Sequence, residues 1–280
     1  MNHHLILDRI KERLTDAVPP LMVGGCLPTN LSTEIQYSGT NLLSLWFAGG
    51  SSPYWCTFKQ ALSLGARHSI EPKLKGAKGW PIIRPAQVIP RSWEKQDGMV
   101  RKPNGVWVPQ DKAGLTVVRL YYVFNALDIG LDSLLPQRTV DPVPLPVDDL
   151  ILNLNLQREN GKPCYYRDRD VLSVPARDQF VNDVAYMHVV AHELVHATMA
   201  PGRLDRVPYG PVTKEAYDRE ELVAEIGAVM LCAHYGHDTS SYGGPYIRGY
   251  MQSLDDGATL IHAAAAAQKA VSFILGGAFQ

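Results

Sequence analysis

Two imidazoles four residues apart, with a carboxylate beside the first, stand in the run His192-Glu193-Leu194-Val195-His196. On an α-helix, residues four apart lie one above the other, so both rings can aim a nitrogen at a single ion. Glu193 sits one step round the helix, where its carboxylate reaches water rather than the ion. A tetrahedral catalytic zinc takes three protein ligands and keeps one position open. The third ligand is expected from a second helical pattern, in which Leu222, Ile226, Val229 and Met230 recur at three- and four-residue steps. That pattern carries Glu220, Glu221 and Glu225. The chain from His196 to Glu221 is long enough for one helix to end, a loop to turn and a second helix to run past the first. The breaks are visible in Ala200-Pro201-Gly202 and Pro208-Tyr209-Gly210-Pro211. Glu221 is the expected ligand because it borders the buried stripe. Glu225, one turn on, is expected to hold a ligand histidine by its other ring nitrogen, and Glu220 to face solvent.

Such a site has the parts of a hydrolase. Zinc, or another divalent metal on the same ligands, acidifies water and polarises a carbonyl; Glu193 is the base, and peptide hydrolysis is the reaction class. An oxyanion stabiliser is also needed, and Tyr209, Tyr217, His234 and His237 are candidates with none standing out. His188, one turn before His192, reads as packed or capping, since three protein ligands suffice. The same constellation also fits a metal that only braces two helices, so enzymatic activity is left open.

The elements that must position these groups follow from periodicity and breakers. Leu5 to Val18 reads as an amphipathic helix ending at Pro19-Pro20, Thr40 to Phe47 as a short apolar helix, and Trp55 to Ala61 as the start of another that ends near Gly65. Trp80 to Ile89, Gly105 to Pro109 and Leu115 to Asn125 read as strands. Asp132 to Pro146, with Pro136, Pro142, Pro144 and Pro146, reads as a linker. Beyond it, Asp148 to Leu156 is an expected helix. Cys164-Tyr165-Tyr166 and Asp170 to Val174 are expected strands, joined by the charged turn Arg167-Asp168-Arg169. An edge strand just before the histidine helix would suit an extended peptide. Thr259 to Leu275, with alanines from Ala263 to Ala267, closes the chain as a helix. The expectation is an α+β protein of two domains: a small α+β domain over 1–130, a Pro-rich linker over 131–146, and a mostly helical domain with a small sheet over 147–280.

Composition agrees with a soluble core-forming chain: 46% hydrophobic and 20% charged residues among 280. No stretch approaches the roughly 18 apolar residues of a membrane helix, and Met1-Asn2-His3-His4 lacks the basic-then-apolar order of a signal peptide, so a cytoplasmic protein with no membrane partner is expected. Cys26, Cys56, Cys164 and Cys232 are scattered without paired spacing, which argues against both a disulfide framework and a cysteine-ligated zinc and points to buried small hydrophobes. The net charge of −1 conceals a split. Residues 1–128 hold 15 Lys and Arg against 9 Asp and Glu, and residues 129–280 hold 12 against 19. A basic first half is a candidate partner for nucleic acid. Arg67, Lys73, Lys75 and Lys78, interleaved with Trp55, Phe58, Lys59 and Trp80, combine cations for phosphates with aromatics for bases, the parts of a single-strand binder. The aromatics would equally serve as core.

A resemblance joins the two halves. The chain resembles the ArdC family of antirestriction proteins, carried by plasmids and phages, in Leu27-Pro28-Thr29-Asn30, Tyr37-Ser38-Gly39-Thr40-Asn41-Leu42-Leu43, Trp55 to Ala61 with Leu64-Gly65-Ala66, Lys75 to Gly79, and Tyr122-Val123-Phe124-Asn125. The family's C-terminal domain is matched by His192 to His196, Arg203-Leu204-Asp205-Arg206, Arg219 to Glu225 and the alanine-rich tail. The chain departs from the family pattern where Pro19 to Cys26 lacks tryptophan and where Glu71-Pro72-Lys73 lengthens a loop. The resemblance implies an N-terminal single-stranded-DNA-binding domain, with Asn41 among its contact residues, and a C-terminal zincin-like metallopeptidase domain. It also implies protection of incoming DNA from host restriction, with a protein or peptide substrate as a second partner. Mimicry of DNA by an acidic surface does not fit a pI of 6.7 with a basic first half.

Overall fold

The computed structural model describes residues 5–6, 8–10, 12, 26–136, 143–206, 213–253 and 257–277. Residues 5–6, 8–10 and 12 are helical; the rest of the expected helix to Val18, linker residues 137–142 and the break around Pro208 lie outside the described residues. The first half runs β1 (Thr29–Asn30), α1 (Gly39–Ala48), β2 (Tyr54–Thr57), α2 (Phe58–His68), β3 (Trp80–Val88), a small sheet of β4 (Lys95–Gln96), β5 (Met99–Arg101) and β6 (Trp107–Pro109), and β7 (Leu115–Asn125). The second half runs α3 (Val147–Asn153), β8 (Gln157–Asn160), β9 (Cys164–Tyr166), β10 (Val171–Val174), α4 (Asp183–Ala197), α5 (Lys214–His234), α6 (Ser240–Ser253) and α7 (Gly257–Ile274). The protein is α+β in both halves, and among the described residues no helix is long and apolar enough to cross a membrane.

The main sheet has the order β1-β2-β7-β3, with β3 antiparallel to β7 along its whole length. Two prolines, Pro81 and Pro85, sit in β3, which is possible because it is an edge strand and a proline there forfeits no ladder bond. Between them the outward backbone of Ile83 is taken by Asn41: its N–H donates to Asn41 Oδ1 at 2.8 Å and its carbonyl accepts from Nδ2 at 2.7 Å. Ser44 Oγ donates to the Pro81 carbonyl at 2.7 Å, so α1 is fastened along this edge. Trp55 to Thr57 is strand, not the start of a helix as the sequence pattern predicts. The helix begins at Phe58, where Thr57 accepts from the Gln60 N–H and Gln60 Oε1 accepts from the Thr57 N–H, a capping box that stops the strand.

The largest apolar cluster crosses the expected linker. It joins Leu42, Leu43, Trp46 and Phe47 of α1 to Leu194 and Val195 of α4, Leu222 and Ile226 of α5, and Ala264, Ala267 and Val271 of α7. Small alanines let α7 lie against α1 and α5, and Gln268 Oε1 accepts the Gly39 N–H at 2.8 Å at the start of α1. α1 is thus packed on the sheet by Leu45 and Ala48 and on the second half by its other face. In the second half, β10 is the central strand between β8 and β9. The strand nearest before the histidine helix is therefore not an edge; the edge beside that helix is β9.

Candidate metal centre

Asn182 caps α4, its side chain accepting the Ala185 N–H at 2.8 Å, and the helix then runs unbroken through Ala197. This places His188, His192 and His196 on one face. Thr213 caps α5 in the same way, and α5 lies against α4 because Gly227 admits Val195: a Cβ on Gly227 would stand 2.7 Å from Val195 Cγ2. The packing brings one atom each of His192, His196 and Glu221 within 4.8 Å of one another. His192 Nε2 and His196 Nε2 are 3.0 Å apart; Glu221 reaches them with Oε2 at 3.4 Å and Oε1 at 3.6 Å. Ligands at about 2.0–2.1 Å from a tetrahedral zinc stand about 3.3 Å from each other, so two imidazoles and a carboxylate at these separations fit a divalent ion.

Each histidine is backed by a second carboxylate. Glu225 Oε1 lies 3.2 Å from His192 Nδ1, and its Oε2 lies 3.2 Å from His188 Nε2. His188 is buried, shares Glu225 and stacks on Tyr242 with ring centroids 5.8 Å apart, in keeping with a packed histidine. Glu220 does not face solvent. It is buried, with Oε1 3.5 Å from His196 Nδ1 and 2.5 Å from Arg206 Nη2. The 3.5 Å contact is an ion-pair distance without hydrogen-bond geometry, since His196 Nδ1 has no hydrogen-bond partner. Arg206 also donates to the Val195 carbonyl at 3.0 Å and to Thr198 Oγ1, and so ties Glu220 to the last turn of α4. Arg203 clamps the same helix end from the other side, donating to the Ala197 carbonyl at 2.7 Å and to Asp170 and Tyr165 Oη. Arg203-Leu204-Asp205-Arg206 is among the motifs of the family resemblance, but nothing in the linear pattern marks these roles.

Glu193 is buried, and its Oε2 accepts the Tyr165 N–H of β9 at 2.8 Å. Burial raises its pKa, opposed by the charges of His196 and His192. A cleft of about 380 Å³ opens over these groups, lined by Cys164, Tyr165, Met199 and Tyr217 beside the glutamates and histidines. Cys164 is therefore at the cleft rather than in the core. Of the oxyanion candidates, Tyr217 lines the cleft, and its hydrogen bond to Glu221 with burial pushes its pKa up to about 12, so it stays a donor. His237 is turned away, bonded to the Val143 carbonyl at 2.9 Å, His234 packs on Tyr235, and Tyr209 lies outside the described residues. Tyr250 of α6, which the pattern did not single out, brings its hydroxyl to 3.5 Å from Glu221 Oε2.

The expected nucleic-acid contacts divide. Trp55 and Trp80 are buried with Leu45, Ile82 and Val123 between α1 and the sheet, because both strands turn that face inward. They are core, not stacking platforms. Asn41 spends both amide atoms on Ile83. Phe58, Lys59, Arg67, Lys73, Lys75 and Lys78 are exposed, with Lys78 Nζ 5.6 Å from the Trp80 ring.

Comparison with known proteins covers both halves. The family model of the N-terminal domain of anti-restriction factor ArdC matches residues 3–124, and that of a zincin-like metallopeptidase matches residues 148–267. The crystal structure of antirestriction ArdC protein from the R388 plasmid in its Mn(II)-bound form is 26% identical with a TM-score of 0.72, covering 99% of both chains. Its metal-free form is 27% identical with a TM-score of 0.69, covering 99% of this chain and 98% of that one. A DNA primase TraC of Escherichia coli is 31% identical over 301 residues, which take 98% of this chain but 27% of the primase. This chain thus spans about a quarter of the length of that primase. With an ArdC-type N-terminal domain followed by a zincin-like metallopeptidase domain, the chain belongs to the ArdC-like antirestriction family.

Proposed function

We propose that this protein serves a plasmid or phage by protecting incoming DNA from host restriction, binding single-stranded DNA through its first half and holding zinc at His192, His196 and Glu221. The observation that carries the metal assignment is the set of three donor atoms within 4.8 Å, at the edge lengths of a tetrahedron. The Mn(II)-bound form of the R388 protein supports a divalent ion, and zinc exceeds manganese in affinity for nitrogen and oxygen donors. The primase name of the TraC relative agrees with a DNA partner.

When bound, a divalent ion supplies Lewis acidity, which polarises a carbonyl and acidifies water. Glu193, buried and fixed by the Tyr165 N–H, is placed to take a proton and pass it to a leaving amine. Tyr217 is placed to donate to an oxyanion. Glu225 holds His192 and Glu220 lies beside His196 at ion-pair distance, with the other ring nitrogens turned toward Glu221. The outer edge of β9, which points the Tyr165 N–H at Glu193, is where an extended peptide would lie. The second reading, a peptidase that cleaves a host defence or regulatory protein, is favoured by this buried base.

Glu193→Gln separates the readings. The variant should retain zinc, measured by metal analysis, and retain affinity for single strands. Loss of protection against restriction in cells would then assign the function to hydrolysis. Full protection would remove hydrolysis from it and leave a metal that braces α4 and α5.

A further inference from the structure

Gly243, Ile247 and Tyr250 recur along α6 at four- and three-residue steps and so share one face of it. Glu221, Glu225 and Val229 share a face of α5 in the same way. Contacts between the two faces fix their register. A Cβ on Gly243 would stand 2.7 Å from Val229 Cγ2 and 3.2 Å from Glu225 Oε2, while Tyr250, two turns on, brings its hydroxyl to 3.5 Å from Glu221 Oε2. The helices therefore run antiparallel, and α6 passes Val229, Glu225 and Glu221 in that order. Ile247 is buried between the two ends of the contact, and Tyr242 stacks on His188 of α4. Sliding α6 along α5 would break all of these contacts at once.

Of the three candidate ligands, Glu221 alone rides on α5; His192 and His196 ride on α4. Its carboxylate must therefore be aimed across the space between two helices. Two hydroxyls reach it. Tyr217 lies four residues earlier on α5 and hydrogen-bonds the carboxylate, so this bond travels with Glu221 and fixes it only relative to its own helix. Tyr250 arrives from a different helix, and its half-buried ring packs on the large apolar cluster, which anchors the hydroxyl. The 3.5 Å separation is at the long limit for a hydrogen bond, because the same carboxylate also spans His192 Nε2 at 3.4 Å and His196 Nε2 at 3.6 Å.

We propose that Tyr250 is a positioning residue of the metal centre: its hydroxyl, donating to Glu221 Oε2, leaves Oε1 to ligate and keeps the carboxylate from taking the ion with both oxygens. The assignment rests on the metal-binding reading above and adds α6 to the two helices that build the site. Ligation through both oxygens would fill the position that a catalytic site keeps open for water or substrate. A hydrogen bond on one oxygen prevents that by orienting the ligand, as partners behind metal ligands do. The division between the two tyrosines follows from where they stand. With Glu221 held from α6, the Tyr217 hydroxyl can turn to a substrate oxyanion without loosening the ligand.

The test compares Tyr250→Phe, which keeps the packed ring and removes only the hydroxyl, with Tyr246→Phe on the same helix, where the side chain is 60% exposed. Zinc affinity, measured in the full chain by competition with a chromophoric chelator, should fall about tenfold in Tyr250→Phe and stay at the parent value in Tyr246→Phe. The second readout is the visible absorption per bound cobalt(II), which is strong for four-coordinate cobalt and weakens as coordination number rises. It should weaken in Tyr250→Phe, because Glu221 is then free to ligate through both oxygens. Tyr217→Phe should leave that absorption as in the parent. Parent-like affinity and absorption in Tyr250→Phe would overturn the assignment while leaving the metal site intact. Weaker zinc binding with parent-like cobalt absorption would overturn it as a packing effect. Equal loss of absorption in Tyr217→Phe would place the orienting bond within α5 and take the role from Tyr250. A parent chain that takes up neither zinc nor cobalt would sink the metal-binding reading and the role of Tyr250 with it.

Discussion

Arg206 presses Glu220 against the back of His196: its Nη2 is 2.5 Å from the Glu220 carboxylate, whose same oxygen is 3.5 Å from His196 Nδ1. Both side chains are nearly buried, 12% and 10% exposed, so neither charge can turn to water if its partner is lost. Removing one member of such a pair costs about 3–5 kcal/mol. Arg206→Met should therefore destabilise the fold by that order, read from urea unfolding of metal-free protein. Glu220→Gln/Arg206→Met, with no charge left behind, should recover a large part of it. A single variant as stable as the parent would mean the pair does not organise the end of α4.

Glu225 serves two imidazoles at once, His192 at 3.2 Å and His188 at 3.2 Å. A carboxylate behind a ligand histidine fixes the ring and raises its basicity, and losing it weakens metal binding about 10–100-fold. Glu225→Gln should show a loss in this range when zinc is titrated against a chromophoric chelator. The unfolding midpoint of the metal-free form should fall as well, because Glu225 is buried against both imidazoles. Unaltered zinc affinity would restrict Glu225 to packing.

The ligand helix was legible because one periodicity fixes both its secondary structure and the alignment of His192 with His196. Glu221 was legible as a neighbour of the stripe formed by Leu222 and Ile226. Glu220 was not, since its burial depends on Arg206, which arrives from a loop 14 residues earlier and has no mark in the pattern. α6 is absent from the sequence expectations, and its Gly243, Gly244 and Pro245 are poor helix formers. Gly243 is needed there for closeness: a Cβ would stand 2.7 Å from Val229 Cγ2 and 3.2 Å from Glu225 Oε2. Trp55 and Trp80 were ambiguous for a different reason. Tryptophan both stacks bases and fills cores, and only the register of β2 and β3 on β7, with α1 laid over them, decides the face.

Gly227 sets how closely the two ligand helices approach. Its alanine variant places a Cβ 2.7 Å from Val195 Cγ2 and 3.0 Å from Cγ1, contacts that one or both helices must relieve by moving. Overpacking of this kind costs about 1–3 kcal/mol. Gly227→Ala should lower both the unfolding midpoint and zinc affinity, because Glu221 rides on the displaced helix. Adding Val195→Ala should restore part of both, a coupling that a double-mutant cycle measures. Additive losses would show that the helices do not meet at this contact.

Proton competition gives the metal site a defined pH dependence. Burial by itself would lower the pKa of His192, but hydrogen bonds to Glu221 and Glu225 outweigh it and raise the value to about 10. Glu221 moves oppositely: burial would raise its pKa, and His192 and His196 hold it far below the usual carboxylate range. A raised histidine stabilises the metal-free fold fully below its ordinary value of 6.5, and this contribution is lost as pH climbs toward 10. A depressed carboxylate contributes above its ordinary value of 4.5 and loses that contribution in acid. Metal-free protein should thus be most stable between these two values and soften on the alkaline side. Zinc must displace the His192 proton, so its affinity should rise with pH by up to about tenfold per unit over the same window. The gap in melting temperature between zinc-loaded and chelator-treated protein should widen from pH 6.5 to pH 9, within the range that His192 spans. Because α1, α4, α5 and α7 share one apolar cluster, each form should melt in a single transition that includes the first half. A gap that stays constant with pH would show that zinc meets His192 already deprotonated, and would remove the carboxylates as the source of its basicity.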